Sequence, residues 1–213
     1  MIAEVKRASP SAGTIASGAD AVAQAAKYAD AGAAAISVLT DTEFFGGSLD
    51  DLEAVRAAVG VPVLRKDFIL DPYQVADARA AGADMVLVIV AAVDAAVAVE
   101  LAEAIREMSM TPLVEVHDHS ELTTALAALD GGGILGVNSR NLRTLEVDLA
   151  AWADIARRVP PGVARIAESG IKTVADARIA REAGYDGVLC GEALMRAGDP
   201  GAFVAAISNG PST

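Results

Sequence analysis

Eight short apolar runs rich in β-branched residues recur along the chain, at residues 2–5, 35–39, 62–64, 85–90, 113–116, 134–137, 164–167 and 187–189. Between them lie longer, Ala-rich stretches with polar residues at helical spacing, the clearest at 20–31, 49–58, 72–81, 93–107 and 173–183. The first set has the length and residue types of buried strands, and the second has the period of amphipathic helices. Alternation of this kind calls for parallel strands joined by right-handed helical crossovers. Eight such units in 213 residues predict a closed (β/α)8 barrel of the TIM type. This α/β fold would form a single domain over 1–208, with a flexible C-terminal tail at 209–213. A six-stranded doubly wound sheet is the competing architecture.

With 53% hydrophobic residues, the chain can bury one large core. Gly32, Gly82 and Gly184 each follow an Ala-rich helix and precede a strand, the place where a helix needs a C-terminal cap. The 29 acidic against 17 basic residues leave a net charge of -12. That field repels nucleic-acid backbones and anionic lipid surfaces, so neither nucleic acid nor membrane is expected as a partner. No apolar run approaches the roughly 20 residues that span a bilayer, and the opening Met-Ile-Ala-Glu-Val-Lys has no signal-peptide character. A lone cysteine, Cys190, fits a reducing compartment, and the expected location is the cytoplasm. None of these features encodes an oligomeric state.

Chemistry in such a barrel collects at the C-terminal ends of the strands. Period-two alternation places Ile2, Glu4 and Lys6 on one face of the first strand, Leu64 and Lys66 on one face of the third, and Leu113 and Glu115 on one face of the fifth. The sixth strand ends in Asn138-Ser139-Arg140 and the seventh in Glu168-Ser169-Gly170. Any one of these charges could be an internal ion pair holding strand ends in register. Five strands converging on one polar mouth are harder to explain that way, because buried charges cost several kcal/mol each unless paired. Clustered lysines and carboxylates in a concave site are what acid–base catalysis requires.

Two turns, Ser169-Gly170 and Cys190-Gly191-Glu192, follow the seventh and eighth strands, where barrels bind phosphate through main-chain N–H groups. The expected ligand is therefore a small phosphorylated molecule, with Lys6 as the nearby cation and the Glu192 side chain turned away. His117 and His119 form a His-x-His. No third ligand stands at suitable spacing, so no metal is assigned and a solvated loop is expected there. Trp152 reads as core, and Arg157 with Arg158 as a helix C-terminus.

The string Ile2-Ala3-Glu4-Val5-Lys6-Arg7-Ala8-Ser9-Pro10-Ser11 closely resembles the signature segment of the indole-3-glycerol-phosphate synthase family. Further segments agree in order and spacing: Phe44-Phe45-Gly46-Gly47-Ser48-Leu49, Pro62-Val63-Leu64-Arg65-Lys66-Asp67-Phe68, Val114-Glu115-Val116-His117 and Gly136-Val137-Asn138-Ser139-Arg140-Asn141-Leu142. The resemblance implies conversion of 1-(2-carboxyphenylamino)-1-deoxyribulose 5-phosphate to indole-3-glycerol phosphate, with loss of carbon dioxide and water and without metal or organic cofactor. It implies Lys66 as general acid toward the substrate carbonyl, Asp67 as support for its strand end, and Glu115 as the carboxylate for later proton removal and dehydration. Glu4 and Asn138 would orient hydroxyls, and Lys6 would serve the phosphate end or a proton transfer. Ser169, Gly170, Gly191 and Glu192 resemble phosphate-side positions. Arg140, Glu168 and Ser9 would complete the polar wall, and Phe45, Phe68 and Leu142 would pack on the anthranilate ring unless they are ordinary barrel-top core.

One departure accompanies the match. Family members usually open with a helical extension near the active-site mouth, before the Ile-Ala-Glu-Val-Lys strand, whereas this sequence begins on the strand, which puts substrate affinity, loop order and stability in question while leaving all the strand-end residues in place. Two rivals stay open here. One is another phosphate-binding barrel such as phosphoribosylanthranilate isomerase, whose carboxylate with a thiol or second acid is disfavoured by the pair Lys66 and Lys6. The other is a truncated barrel that binds phosphorylated ligands without turnover.

Overall fold

The computed structural model of the chain describes residues 1–141 and 144–208. The expected tail and Leu142 lie outside the described residues. The eight anticipated strands form β1 (Ile2–Val5), β4 (Ala35–Leu39), β5 (Val63–Lys66), β6 (Met85–Ile89), β7 (Thr111–Val116), β8 (Ile134–Asn138), β9 (Ala164–Glu168) and β10 (Gly187–Cys190). They pair in parallel in the order β1-β10-β9-β8-β7-β6-β5-β4, and β4 closes onto β1 through Ile2 opposite Ala35 and Val5 opposite Val38. The result is a single-domain (β/α)8 barrel, and the doubly wound alternative is excluded by that closure. The third strand begins at Val63 and runs on through Arg65 and Lys66, because Val38 and Leu39 of β4 stay in register with them.

The helices α1 (Ala21–Asp30), α3 (Leu49–Ala58), α4 (Pro72–Ala80), α5 (Ala95–Glu107), α6 (Leu122–Ala128), α7 (Ala150–Ala156), α8 (Val174–Glu182) and α10 (Pro200–Ser208) follow successive strands, with two short helices, α2 (Thr42–Phe45) and α9 (Glu192–Arg196), in the connections. Their starts are set by local chemistry. Asp20, Ser48, Asp71 and Thr173 each cap a free N–H of the first turn, and Asp71 with Gln74 and Thr173 with Asp176 make reciprocal capping boxes. Their ends follow the glycine echo. Gly32, Gly82 and Gly184 take φ of 94°, 86° and 97°, and each is followed by an N–H that reaches back to the helix: Ala33 to Tyr28 O, Ala83 to Ala78 O and Tyr185 to Ala180 O. This is the left-handed cap that glycine adopts without a Cβ penalty.

Alternation along each strand divides the apolar residues into two cores. Ile2, Ala35, Leu64, Leu87, Leu113 and Leu189 fill the barrel interior. Ala3, Ile36, Val63, Val86, Val114 and Ala167 face outward, where the helices cover them. Trp152 lies wholly in this outer layer, 6.2 Å from the Tyr185 ring, whose hydroxyl donates to the Trp152 carbonyl. The sequence did not signal a small hairpin, β2 (Ala8–Ser9) with β3 (Gly13–Thr14), inside the connection after β1. Arg7 clamps its base by donating to both Asp51 carboxylate oxygens, at 2.6 and 2.8 Å, and to Ala19 O at 3.0 Å. No helix among the described residues is long and apolar enough to cross a membrane.

Candidate active site at the C-terminal mouth of the barrel

The same alternation that sends Leu64, Leu113 and Ile2 inward sends Lys66, Glu115 and Glu4 inward one step later, at the end of the barrel where the strands stop. There they line a cavity of about 770 Å³ with Lys6, Ser9, Phe45, Phe68, Asn138, Arg140, Glu168, Ser169, Gly170, Gly191 and Glu192. Of the site residues expected from the sequence, all that lie among the described residues meet in this one cavity.

Lys66 is its electrostatic centre. Its Nζ lies 3.3 Å from Glu115 Oε2 and 3.5 Å from Glu168 Oε2. Burial would discharge the ammonium, but Glu115, Glu168 and Glu4 outweigh that and hold its pKa well above the ordinary lysine range. Glu115 is buried too, and burial opposes its charge. Lys66 and His117 overcome the penalty and keep its carboxylate well below the usual range. Asn138 Nδ2 donates to Glu115 Oε1 at 3.1 Å, which fixes the orientation of the carboxylate. Glu168 goes the other way. Burial and the facing Glu115 charge push it well above the usual carboxylate range, and neither of its oxygens receives a hydrogen bond. Burial and mutual repulsion around one ammonium thus push the two carboxyl groups in opposite directions, the kind of separation from which sites draw a base and an acid.

Two glycines make room for these side chains. A Cβ on Gly136 would fall on Glu168 Oε1, and one on Gly191 would fall on Glu4 Oε1. A glycine inside a strand signals such a close approach, and Gly136 stands mid-strand in β8. Gly136→Ala is expected to displace Glu168 and destabilise the fold by about 1–3 kcal/mol, the usual range for overpacking. Thermal denaturation with a crystal structure of the variant checks this, and an unmoved Glu168 would contradict it.

Lys6 Nζ donates to Glu4 Oε1 at 3.0 Å and lies 5.5 Å above the Phe45 ring. Phe45 and Phe44 both meet Phe68, at centroid separations of 6.4 and 6.3 Å, forming an apolar wall on the β4–β5 side. Phe44 belongs to this wall although the sequence reading passed over it. Asp67 accepts from Arg65 at 3.0 Å and from Thr40 at 2.6 Å, and so braces the strand end that carries Lys66. Arg140 donates to Leu145 O at 2.8 Å, and its own N–H is received by Asn138 Oδ1. The Ser139 hydroxyl is taken up by the Glu168 and Ser169 carbonyls, so at the end of β8 it supports structure.

On the opposite wall, Ser169 holds a φ of 63° and Gly170 one of 76°. Left-handed backbone is unusual for a serine and tends to persist at functional turns. Lys172 and Arg196 also line the cavity beside these turns, two cations that the sequence reading did not select. Their signals were available: Lys172 follows Gly170 by two positions, and Arg196 stands one helical turn after Glu192. Arg196 Nε donates to Glu192 Oε1 at 3.0 Å, which occupies the Glu192 carboxylate. Burial pushes the Cys190 thiol up to about 12, and the thiol donates to the Ile171 carbonyl, an environment that disfavours the thiolate.

The expectation of a solvated loop at the two histidines needs correction for His117, whose side chain is only 11% exposed. Its ring turns back toward Glu115 because the carboxylates of Glu115 and Glu121 flank it. His119, at 61%, does face solvent.

Comparison with known proteins agrees with this geometry. A family model described as indole-3-glycerol phosphate synthase matches residues 1–207. The indole-3-glycerol phosphate synthase of Parafrankia sp. (strain EAN1pec) is 55% identical over 205 residues, covering 96% of this chain and 76% of that protein. The protein of the same name from Mycolicibacterium gilvum (strain PYR-GCK) is 54% identical, over 96% and 75% of the two chains. Among solved structures, a 3-hexulose-6-phosphate synthase superposes with a TM-score of 0.75 over the full length of both chains, at 18% identity, which speaks to the fold alone. With the family model spanning nearly every residue and relatives above half identity over 96% of the chain, this protein belongs to the indole-3-glycerol phosphate synthase family.

Proposed function

We propose that the barrel catalyses the reaction for which its family is named, converting 1-(2-carboxyphenylamino)-1-deoxyribulose 5-phosphate to indole-3-glycerol phosphate as a carbon–carbon lyase of tryptophan biosynthesis. The observation that carries this reading is Lys66, buried between Glu115 and Glu168 at the base of a cavity with an aromatic wall on one side and two glycine turns on the other.

The phosphate would sit against the backbone N–H groups of Ser169-Gly170 and Gly191, with Lys6, Lys172 and Arg196 as cations within the same cavity. The anthranilate ring would lie on Phe45 and Phe68. As the ring carbon bearing the carboxylate bonds to the ketone carbon, the ketone oxygen becomes a developing alkoxide, and Lys66 hands it a proton. An alkoxide is a stronger base than an amine, so even a lysine with a raised pKa donates downhill at that moment. The carboxylate then leaves as carbon dioxide, its electron pair restoring the aromatic ring. Water departs in the last step, the leaving hydroxyl taking a proton and Glu115 removing one from the indoline. Each turnover consumes one proton overall, and Lys66 recovers it from solvent. Glu4, Asn138, Arg140 and Ser9 would hold the substrate hydroxyls.

The test is to incubate the purified chain with the carboxyphenylamino-deoxyribulose phosphate and follow indole fluorescence. Turnover in the parent chain that is lost in Lys66→Ala and in Glu115→Ala is the expected result. Absence of turnover with the substrate still bound would instead establish a binding barrel.

A further inference from the structure

Glu115 has a neighbour outside the cavity lining. β7 ends at Val116, and the next residue, His117, places Nε2 3.2 Å from Glu115 Oε1, the oxygen that also accepts from Asn138. On the far side of the ring, Nδ1 lies 3.6 Å from Glu121 Oε2, and that oxygen accepts the His117 backbone N–H at 2.7 Å. The ring thus sits between two carboxylates that both favour its charged form.

We propose that His117 is a positioning residue for Glu115: braced by Glu121, its imidazolium holds the carboxylate oriented and ionised when Lys66 turns to the substrate oxygen. The proposal rests on Glu115 acting as the base in the reaction above. The groups facing Glu115 are Lys66 from β5, Asn138 from β8, Glu168 from β9 and His117 itself. Glu121 faces His117, and Glu4 from β1 acts on Lys66. Lys66 is shared with Glu168 and is the cation committed to the substrate. Without His117, Glu115 would then face a second carboxyl group with only a neutral amide to support it. Burial opposes charge on the His117 ring, but Glu115 and Glu121 overcome it and carry its pKa up to about 10.

In an NMR titration of the imidazole signals, His117 is expected to stay charged well above the ordinary histidine range, and Glu115→Gln should lower the pH at which it loses its proton. In the fluorescence assay, His117→Gln is expected to lower kcat about tenfold or more with KM little changed. The acidic limb of its kcat profile should move to higher pH, because losing a neighbouring cation makes Glu115 easier to protonate. Glu121→Gln should shift that limb the same way by less, with circular dichroism confirming the fold of both variants. Titration of His117 within the ordinary histidine range, or a His117→Gln enzyme with unchanged kcat and pH profile, would overturn the proposal. The NMR arm needs no turnover, so an inactive parent chain would count against the reaction while the charge on His117 was still decided.

Discussion

Lys66→Ala is expected to leave the barrel folded and to lower kcat by about 10³-fold, within the range for loss of a positioned proton donor. The size follows from the absence of a substitute. Lys6, the next lysine in the cavity, is engaged with Glu4 at 3.0 Å, and Lys172 stands beside the Ser169-Gly170 turn. Steady-state kinetics with KM near the parent value would match a role in the chemical step, and a variant within tenfold of the parent would remove Lys66 from that step. The substitution also has a signature in stability. The folded-state pKa of Glu115 is depressed, chiefly by Lys66 acting against burial. Its contribution to stability is therefore present above the unfolded value, near 4.5, and is lost as pH falls through the folded value. Removing Lys66 takes that contribution away, so the melting midpoints of parent and variant should differ most near neutrality and converge in acid.

Trp152→Ala is expected to cost about 3–5 kcal/mol, the range for deleting a fully buried large aromatic. Trp152 has no exposed surface and packs against Tyr185, whose hydroxyl is anchored on the Trp152 carbonyl. Truncation leaves a cavity between α7 and the turn after α8 that carries Tyr185. Against a total of roughly 5–15 kcal/mol for a domain, this is enough to lower the midpoint by about 10 °C, at 2–4 °C per kcal/mol for this size. Trp152→Phe should cost far less. It keeps an aromatic ring beside Tyr185 and removes an indole N–H that has no hydrogen-bond partner, a group whose burial is itself unfavourable. Equal losses in the two variants, read by chemical or thermal denaturation, would show that Trp152 packing is not what holds this layer.

Much of the site was legible because strand alternation is a local rule. Once 2–5, 62–64 and 113–116 are strands, the shared faces of Glu4 with Lys6, Leu64 with Lys66 and Leu113 with Glu115 follow from a period of two. The glycine caps were legible for the same reason, since they belong to single helix ends. A fourth cap of the same geometry was missed: Ser109 at φ 59°, with the Met110 N–H returning to Ile105 O. A serine there carries no glycine signal. The hairpin after β1 and the aromatic contact of Phe44 were missed because both depend on neighbours distant in sequence.

The chain sequence by itself determined the alternation of strand and helix, the shared faces of the first, third and fifth strands, and the end of the barrel at which polar residues gather. The tertiary structure decided which of those polar residues meet. Strand register around the closed sheet places Ile89 opposite Glu115 and Asn138 opposite Glu168, and so brings Lys66 between two carboxylates that are distant from it in sequence. That juxtaposition, with Gly136 leaving space for Glu168 and His117 turned back on Glu115, separates the ionisation of two chemically identical side chains. Local sequence carries no information on desolvation or on distances across the barrel, and those are the quantities that push the two carboxyl groups apart in proton affinity.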